Sequence, residues 1–347
     1  MPQPTTSAGP GGFLTLDAGS GGRASHRLIT GLFLRHFDNP ALRSLDDAAL
    51  LNLSGPLAMS TDSYTVDPLE FPGGDIGSLA VHGTVNDVAM LGANPLYLSC
   101  AFIIEEGLPL DLLERIVRSM AAAAGEAGVS LVTGDTKVVP KGAVDKLFIN
   151  TSGIGPLLTP DPPQGHKARP GDAILLSGPL GEHGLTILSC RGGLGLSHRL
   201  RSDSASLNHI TRALLSEIPC VRTLRDPTRG GLATTLNEIA VQSQNVCRIR
   251  EELLPVNPGV EEWCSILGLD PLYLANEGKF ICILPQEQAE AALDILHRFP
   301  LSTRAAQIGR IIAPGPQARA GQVILQTRLG GERLLGMLEG EQLPRIC

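Results

Sequence analysis

Apolar positions along the chain follow two rhythms that take turns. Short apolar runs at 57–64, 95–104, 129–132 and 147–152 read as strands. Between them, apolar residues recur every three to four positions, as a helix with one buried face requires. The turn Phe71-Pro72-Gly73-Gly74-Asp75-Ile76-Gly77 opens a helix running to about Leu91. A second helix, 109–124, carries Leu112, Leu113, Ile116, Val117 and Met120 on one face and is closed by Gly125 and Gly128. Five prolines between positions 156 and 170, with Gly165 and Gly171, interrupt the pattern. It resumes with a strand at 172–177, helices at 183–190 and 207–218, and a helix through Leu232, Leu236, Ile239 and Ala240. A strand at 280–284, a helix at 287–298 and a strand near 306–311 follow. Pro314, Gly315 and Pro316 introduce a hairpin, 323–327 with 333–335, and the last eleven residues are polar and extended in character. At about 3.3–3.6 Å per residue, those eleven reach up to about 36–40 Å. The pattern predicts a disordered leader over 1–12, one α/β domain over 13–158, a second over 159–313 and a tail over 314–347.

A length of 347 residues agrees with two domains, and 43% hydrophobic with 18% charged residues describes an ordinary globular chain. The net charge of −7 and the lack of a dense Lys/Arg run argue against nucleic acid or an anionic membrane as a main partner. With no charged-then-apolar leader and no uninterrupted apolar run of about 18 residues, the expected location is cytoplasmic. Six of the seven cysteines lie in or near apolar runs and read as small buried hydrophobes; only Cys347, the last residue, stands apart.

That terminal thiol is the first candidate for chemistry. In Leu343-Pro344-Arg345-Ile346-Cys347, Pro344 stiffens the approach and Arg345 supplies a cation able to offset the neighbouring α-carboxylate, so the end of the chain reads as a reactive handle. The loop Asp17-Ala18-Gly19-Ser20-Gly21-Gly22-Arg23 can bring backbone N–H groups to a phosphate, although its spacing is neither that of a P-loop nor of a dinucleotide fingerprint. Asp62 falls at the end of a strand, Asp87 sits inside an apolar helix where an unpartnered carboxylate is costly, and Asp135 and Lys137 emerge together after the strand 129–132. Three aspartates at such stations can supply the hard oxygens that Mg²⁺ shares with nucleotide phosphates. Taken singly, each is equally an internal salt bridge or a turn. The loop Arg225-Asp226-Pro227-Thr228-Arg229-Gly230-Gly231 opens a helix and aims free N–H groups and two arginines at one spot, with an anion as its natural guest.

Read together, Ser60-Thr61-Asp62-Ser63-Tyr64, Phe71 to Gly77, Val85-Asn86-Asp87-Val88-Ala89-Met90, Gly134-Asp135-Thr136-Lys137, Asp226 to Gly231, Asn276-Glu277-Gly278-Lys279 and the terminal Pro344-Arg345-Ile346-Cys347 resemble the hydrogenase maturation carbamoyl dehydratase family, HypE. The resemblance spans nearly the whole chain from about residue 13. It implies a two-domain α/β (α+β) fold of the aminoimidazole ribonucleotide synthetase type (PurM-like) with a flexible C-terminal tail, and a homodimer formed through the N-terminal, ATP-binding domains. The implied reaction is ATP-dependent dehydration of a carbamoyl group on Cys347, S-carboxamide to thiocyanate, which supplies the cyanide ligand of the iron in [NiFe]-hydrogenase. The implied partners are the carbamoyltransferase HypF and a HypC–HypD scaffold complex. By matching motif, Gly19, Ser20, Gly21, Gly22, Asp62, Asn86, Asp87, Asp135 and Thr136 would bind ATP. Asp62, Asp87, Asp135 and Asp226 would hold Mg²⁺, with Asp226 alternatively only ordering its loop. Lys137 and Glu277 would sit beside Cys347, one stabilising charge and the other taking a proton. The chain departs from the family pattern at Ala18, where the family often has His, at Glu182 in Gly181-Glu182-His183-Gly184, where it has Asp, and at Ser206, where it has Pro. Two other readings remain: selenophosphate synthetase, which wants a reactive cysteine near the N-terminal glycine loop where this chain has none before Cys100, and a carrier that ferries carbamoyl without catalysis.

Overall fold

A computed structural model describes residues 12–20, 22–46, 48–191, 200–316, 318–338, 343 and 345–347. The expected leader up to residue 11, Gly21, residues 192–199 and Pro344 lie outside them. The first half contains β1 (Leu57–Tyr64), the two-residue strands β2 (Glu70–Phe71) and β3 (Gly74–Asp75), β4 (Tyr97–Glu105), β5 (Ser130–Val139) and β6 (Leu147–Pro156). Four of these form one sheet in the order β1-β6-β4-β5, with β5 parallel to β4 and the other pairs antiparallel.

Strict alternation along β6 explains how this sheet sits. Leu147, Ile149, Thr151, Gly153 and Gly155 point inward against the helices Ile76–Met90 and Leu110–Ala127. The first of these helices starts in a capping box between Asp75 and Ser78 and is buried nearly all round, because it lies between the sheet and the second half of the chain. The outward face of the sheet keeps Met59 71% and Ile103 40% exposed.

The second half builds a seven-stranded sheet in the order β13-β12-β9-β11-β7-β10-β8, from β7 (Ala173–Leu176), β8 (Thr223–Arg225), β9 (Val246–Arg250), β10 (Ile281–Leu284), β11 (Ala306–Ile312), β12 (Val323–Gln326) and β13 (Glu332–Leu334). Strands β7 and β10 are buried at every position, as central strands covered on both faces are. The hairpin expected near the tail is present and is built into this sheet, β12 lying parallel to β9.

The structure corrects three local expectations. Residues 133–137 do not follow a strand end: β5 continues to Val139, because an edge strand with one open side tolerates polar residues along its length. Gly125 lies within its helix, and Gly128 alone terminates it, at φ 71. Strands β8 and β9 and the helix Pro258–Leu267 lie where the sequence pattern named no element. Among the described residues, no helix is long and apolar enough to cross a membrane.

Candidate active site

The end of the chain is folded back into its own interior, where Cys347 is 7% exposed. Three successive residues are held by their main-chain oxygens, the last a carboxylate oxygen. The backbone N–H of Asp67 and the guanidinium of Arg191 donate to the Arg345 carbonyl. His183 Nε2 donates to Ile346 O at 2.8 Å, and Thr65 donates to Cys347 O from its N–H at 3.0 Å and its hydroxyl at 3.3 Å. Thr65 and Asp67 follow β1 of the first half, whereas His183 and Arg191 lie on the helix Glu182–Arg191 of the second, so both halves grip the tail.

Arg345 does not serve the thiol as expected. Its side chain turns away, donating to Thr65 O at 2.8 Å, pairing with Asp145 and lying 5.7 Å over the Phe148 ring. The cation that faces the thiol is Arg229, whose guanidinium also meets Asp62 at 3.5 Å. The thiol is nonetheless pushed up to about 12, first by burial, then by Glu277 and Asp62 against the pull of Arg229. Docked, Cys347 is a protonated and sheltered thiol rather than the reactive handle expected from sequence.

Around it lies a cluster of carboxyl groups. Glu277 is 3% exposed, and its Oε1 has no partner among the described residues. Burial, followed by Asp226, Asp203, Asp62 and Asp87, holds it well above the usual carboxylate range. Asp226 is pushed up to about 7 by burial and then by Asp87. Asp87 is raised by burial, against a 2.7 Å hydrogen bond from Ser60 and the fields of Arg225 and Arg229. The Asp226–Gly231 loop opens the helix Gly231–Ser243 as expected; Arg225 and Arg229 lie along one cavity with Asp226, and Arg229 pairs with Asp62. A cavity of about 720 Å³ opens beside it, lined by Ser60, Asp87, Arg225, Asp226, Thr228 and Arg229 among others, and another of about 400 Å³ lies beside Cys347.

Asn86, expected at the nucleotide, lies between the two halves of the chain. It is 1% exposed, and its amide is already engaged by Ala205 O, Glu277 O and the N–H of Leu207, so it ties the two halves together.

The remaining predicted residues gather elsewhere. The backbone of Gly19 lies so close to β5 that a Cβ there would stand 2.1 Å from Val138 N. Next to this contact is a cavity of about 340 Å³ lined by Ala18, Gly19, Phe33, Phe37, Asp135, Thr136 and Lys137 among others. Ser20, whose hydroxyl donates to Asp17 O at 3.2 Å, and the exposed Gly22 are not among its lining residues. Asp135 and Lys137 are exposed and face each other at 3.7 Å. Strands β1 and β5 are opposite edges of the sheet, three strand spacings or about 14 Å apart. One chain therefore groups Asp62, Asp87 and Asp226 around Glu277, with Cys347 beside Glu277 and Asp62, but keeps Asp135 and Lys137 on the far side. Among the described residues, no three His, Cys, Asp or Glu side chains converge to hold a metal ion. Sequence reasoning did not place Thr65, His183, Asp203 or Arg229 beside the tail or Glu277. The motifs holding His183 and Arg229 were visible, but a contact between residues more than 100 positions apart leaves no local signal.

Residues 45–157 match the N-terminal domain, and residues 169–320 the C-terminal domain, of AIR synthase related proteins. The chain is 52% identical over 338 residues to the carbamoyl dehydratase HypE of Cupriavidus necator, covering 97% of this chain and 95% of that one. A crystal structure of hydrogenase maturation protein HypE in complex with ATP is 66% identical, with a TM-score of 0.94 over 96% of this chain and all of that one. A HypE–HypF complex structure matches at 46% identity and a TM-score of 0.78, over 90% of this chain and 99% of that one. With motifs, domains and a terminal cysteine docked on a carboxyl cluster all in agreement, the chain belongs to the carbamoyl dehydratase HypE family of hydrogenase maturation proteins.

Proposed function

We propose that the protein dehydrates a carbamoyl group carried on Cys347, using ATP, and that the product is a terminal thiocyanate destined for the iron of [NiFe]-hydrogenase. The observation that carries this reading is the burial of Cys347 against Glu277, Arg229 and Asp62. A dehydration must exclude water, and a thiol kept neutral by its surroundings is suited to carrying a group rather than attacking one. Carbamoylation then belongs to an undocked tail presented to a carbamoyltransferase, and the solved HypE–HypF complex supports HypF as that partner. A HypC–HypD complex is the proposed acceptor, and the cytoplasm the proposed location.

The amide oxygen is a poor leaving group until phosphorylated. It attacks the γ-phosphorus of ATP and one N–H proton leaves; the second N–H proton departs as the C–O bond breaks, leaving S–C≡N with ADP and phosphate. Glu277 is placed to accept a proton, its basicity raised by burial, and Arg229 to meet the negative charge that builds next to the sulfur. Asp87 and Asp226, with Asp62 nearby, are the residues that would hold a divalent cation, since burial and neighbouring carboxyl groups raise both and positive charge would relieve both. Mg²⁺ bound there would neutralise phosphate charge, and it keeps waters and phosphate oxygens in its shell, so it does not require three protein ligands. For the nucleotide, the cavity between Gly19 and Asp135–Lys137 is the proposed seat, and the ATP complex of a relative at 66% identity supports ATP as the ligand. Because Lys137 lies across the sheet from Cys347, the reading includes a homodimer in which the open sheet faces meet and a second copy brings Lys137 and Asp135 to the cluster.

Intact mass of the carbamoylated protein tests the reaction. Loss of one water, only with ATP and Mg²⁺ and only at Cys347, is the expected result. A modification mapping to Cys100 or another internal cysteine would sink the proposal, and dehydration without nucleotide would sink its ATP step.

A further inference from the structure

We propose that His183 is a positioning residue for dehydration: it holds the docked tail by the Ile346 carbonyl and, through Ser202, couples that docking to the placement of Glu277. The inference rests on the reaction assigned above, and its geometry stands independently of it.

His183 is completely buried and uses both ring nitrogens. A carbonyl oxygen can only accept, so the 2.8 Å contact to Ile346 O fixes the proton on Nε2. Nδ1 then accepts from the Ser202 hydroxyl at 2.7 Å, and Phe71 packs edge-on against the ring, centroids 5.6 Å apart. Burial lowers the imidazole below its ordinary value, which agrees with this neutral tautomer.

Ser202 begins a strap whose other contacts converge on Glu277. Its backbone N–H donates to Pro72 O at 2.8 Å. The next residue, Asp203, accepts from the N–H groups of Glu277 and Gly278, both at 3.2 Å, and from the buried Lys279 ammonium at 3.2 Å. Ala205 N–H donates to Glu277 O at 3.4 Å, and Asn86 spans Ala205 O and Glu277 O from the neighbouring helix. No slack exists in this contact, since a Cβ on Gly278 would lie 1.8 Å from Asp203 O. One end of the strap therefore senses the tail through His183 while the other fixes the backbone of the proposed base. A docked Ile346 orders His183 and Ser202, and with them the loop that carries Glu277.

The test uses the full-length protein with His183→Phe, His183→Gln and Ser202→Ala. Two readouts are compared: the rate of Cys347 alkylation by iodoacetamide, followed by intact mass without carbamoyl or ATP, and single-turnover dehydration after carbamoylation. Loss of a buried hydrogen bond on this scale shifts a docking equilibrium by about tenfold. His183→Phe should raise alkylation about tenfold and slow dehydration by a similar factor, with ATP binding unchanged. His183→Gln, whose amide nitrogen can still reach Ile346 O, should restore alkylation to the wild-type rate. Ser202→Ala should leave the tail docked yet slow dehydration, and it keeps the proposal testable if His183→Phe does not fold. Wild-type rates in both readouts for His183→Phe, or equal defects in the Phe and Gln variants, would overturn the proposal. A wild-type protein that never dehydrates would refute the assigned reaction, while the alkylation arm would still decide whether His183 holds the tail.

Discussion

Burial and the neighbouring carboxyl groups raise Glu277 well above the usual carboxylate range and Asp226 to about 7, so both are stronger bases than a carboxylate in water. For Glu277 this gives a direct expectation. Glu277→Gln preserves shape and removes proton transfer, so single-turnover dehydration should fall by about 10²–10⁴ while calorimetry finds ATP bound as before. Equal loss of binding would instead make Glu277 a nucleotide contact. Asp226 has a consequence for stability. Its folded value near 7 lies above the ordinary 3.8, so the native state favours the protonated form. That contribution is complete below about pH 4 and is lost as pH rises through 7. Thermal midpoints in metal-free buffer should therefore decline from pH 5 to pH 8, and Asp226→Asn should flatten the decline. A parallel slope in the variant would show that Asp226 is not its source.

Among the elements, the tail and the β5–β6 connection belong together. Asp145 pairs with Arg345, and Lys146 pairs with Asp67, whose N–H donates to the Arg345 carbonyl. Asp145→Ala should loosen the tail, quickening Cys347 alkylation several-fold, yet barely move the thermal midpoint, because a half-exposed ion pair is worth only about 0–1 kcal/mol. Glu217→Ala, in an exposed ion pair with Arg298 away from the site, is the control that should leave alkylation alone. Unchanged alkylation in Asp145→Ala would mean that Arg345 does not anchor the tail. Elements of this kind were only partly legible in the sequence. Elements with clean apolar periodicity, such as the helix Leu110–Ala127, were, and Asp62, Asp87 and Glu277 stood out as candidates that the fold then groups together. Strand β8 is three residues long, too short to show a period, and β5 hides its last half in polar edge positions. Arg345 carried no local sign that its partner would be Asp145, 200 residues away, rather than the thiol two residues on.

At the scale of the whole molecule, the role proposed for Lys137 at Cys347 meets the geometry of the sheet. The two lie toward opposite edges of one sheet, about 14 Å of strand spacing apart, and a folded sheet does not bend enough to bring its edges together. Either Lys137 serves the nucleotide alone, or the site is completed by a second copy. The open sheet face, with Met59 and Ile103 exposed, favours the second course, since an isologous contact there would present each copy's far edge to its partner. Two inactive variants distinguish these possibilities. Lys137→Ala leaves an intact cysteine, and Cys347→Ala leaves an intact lysine. If Lys137 acts across the dimer, mixing and reassociating the two should create sites with wild-type residues in both roles. An equal mixture forms mixed dimers in half of cases, each with one complete site, so about a quarter of wild-type dehydration should return. Mass spectrometry would find thiocyanate only on the Lys137→Ala chain. If no activity returns although mixed dimers form, Lys137 works within its own chain or not at all, and the homodimer loses its catalytic reason.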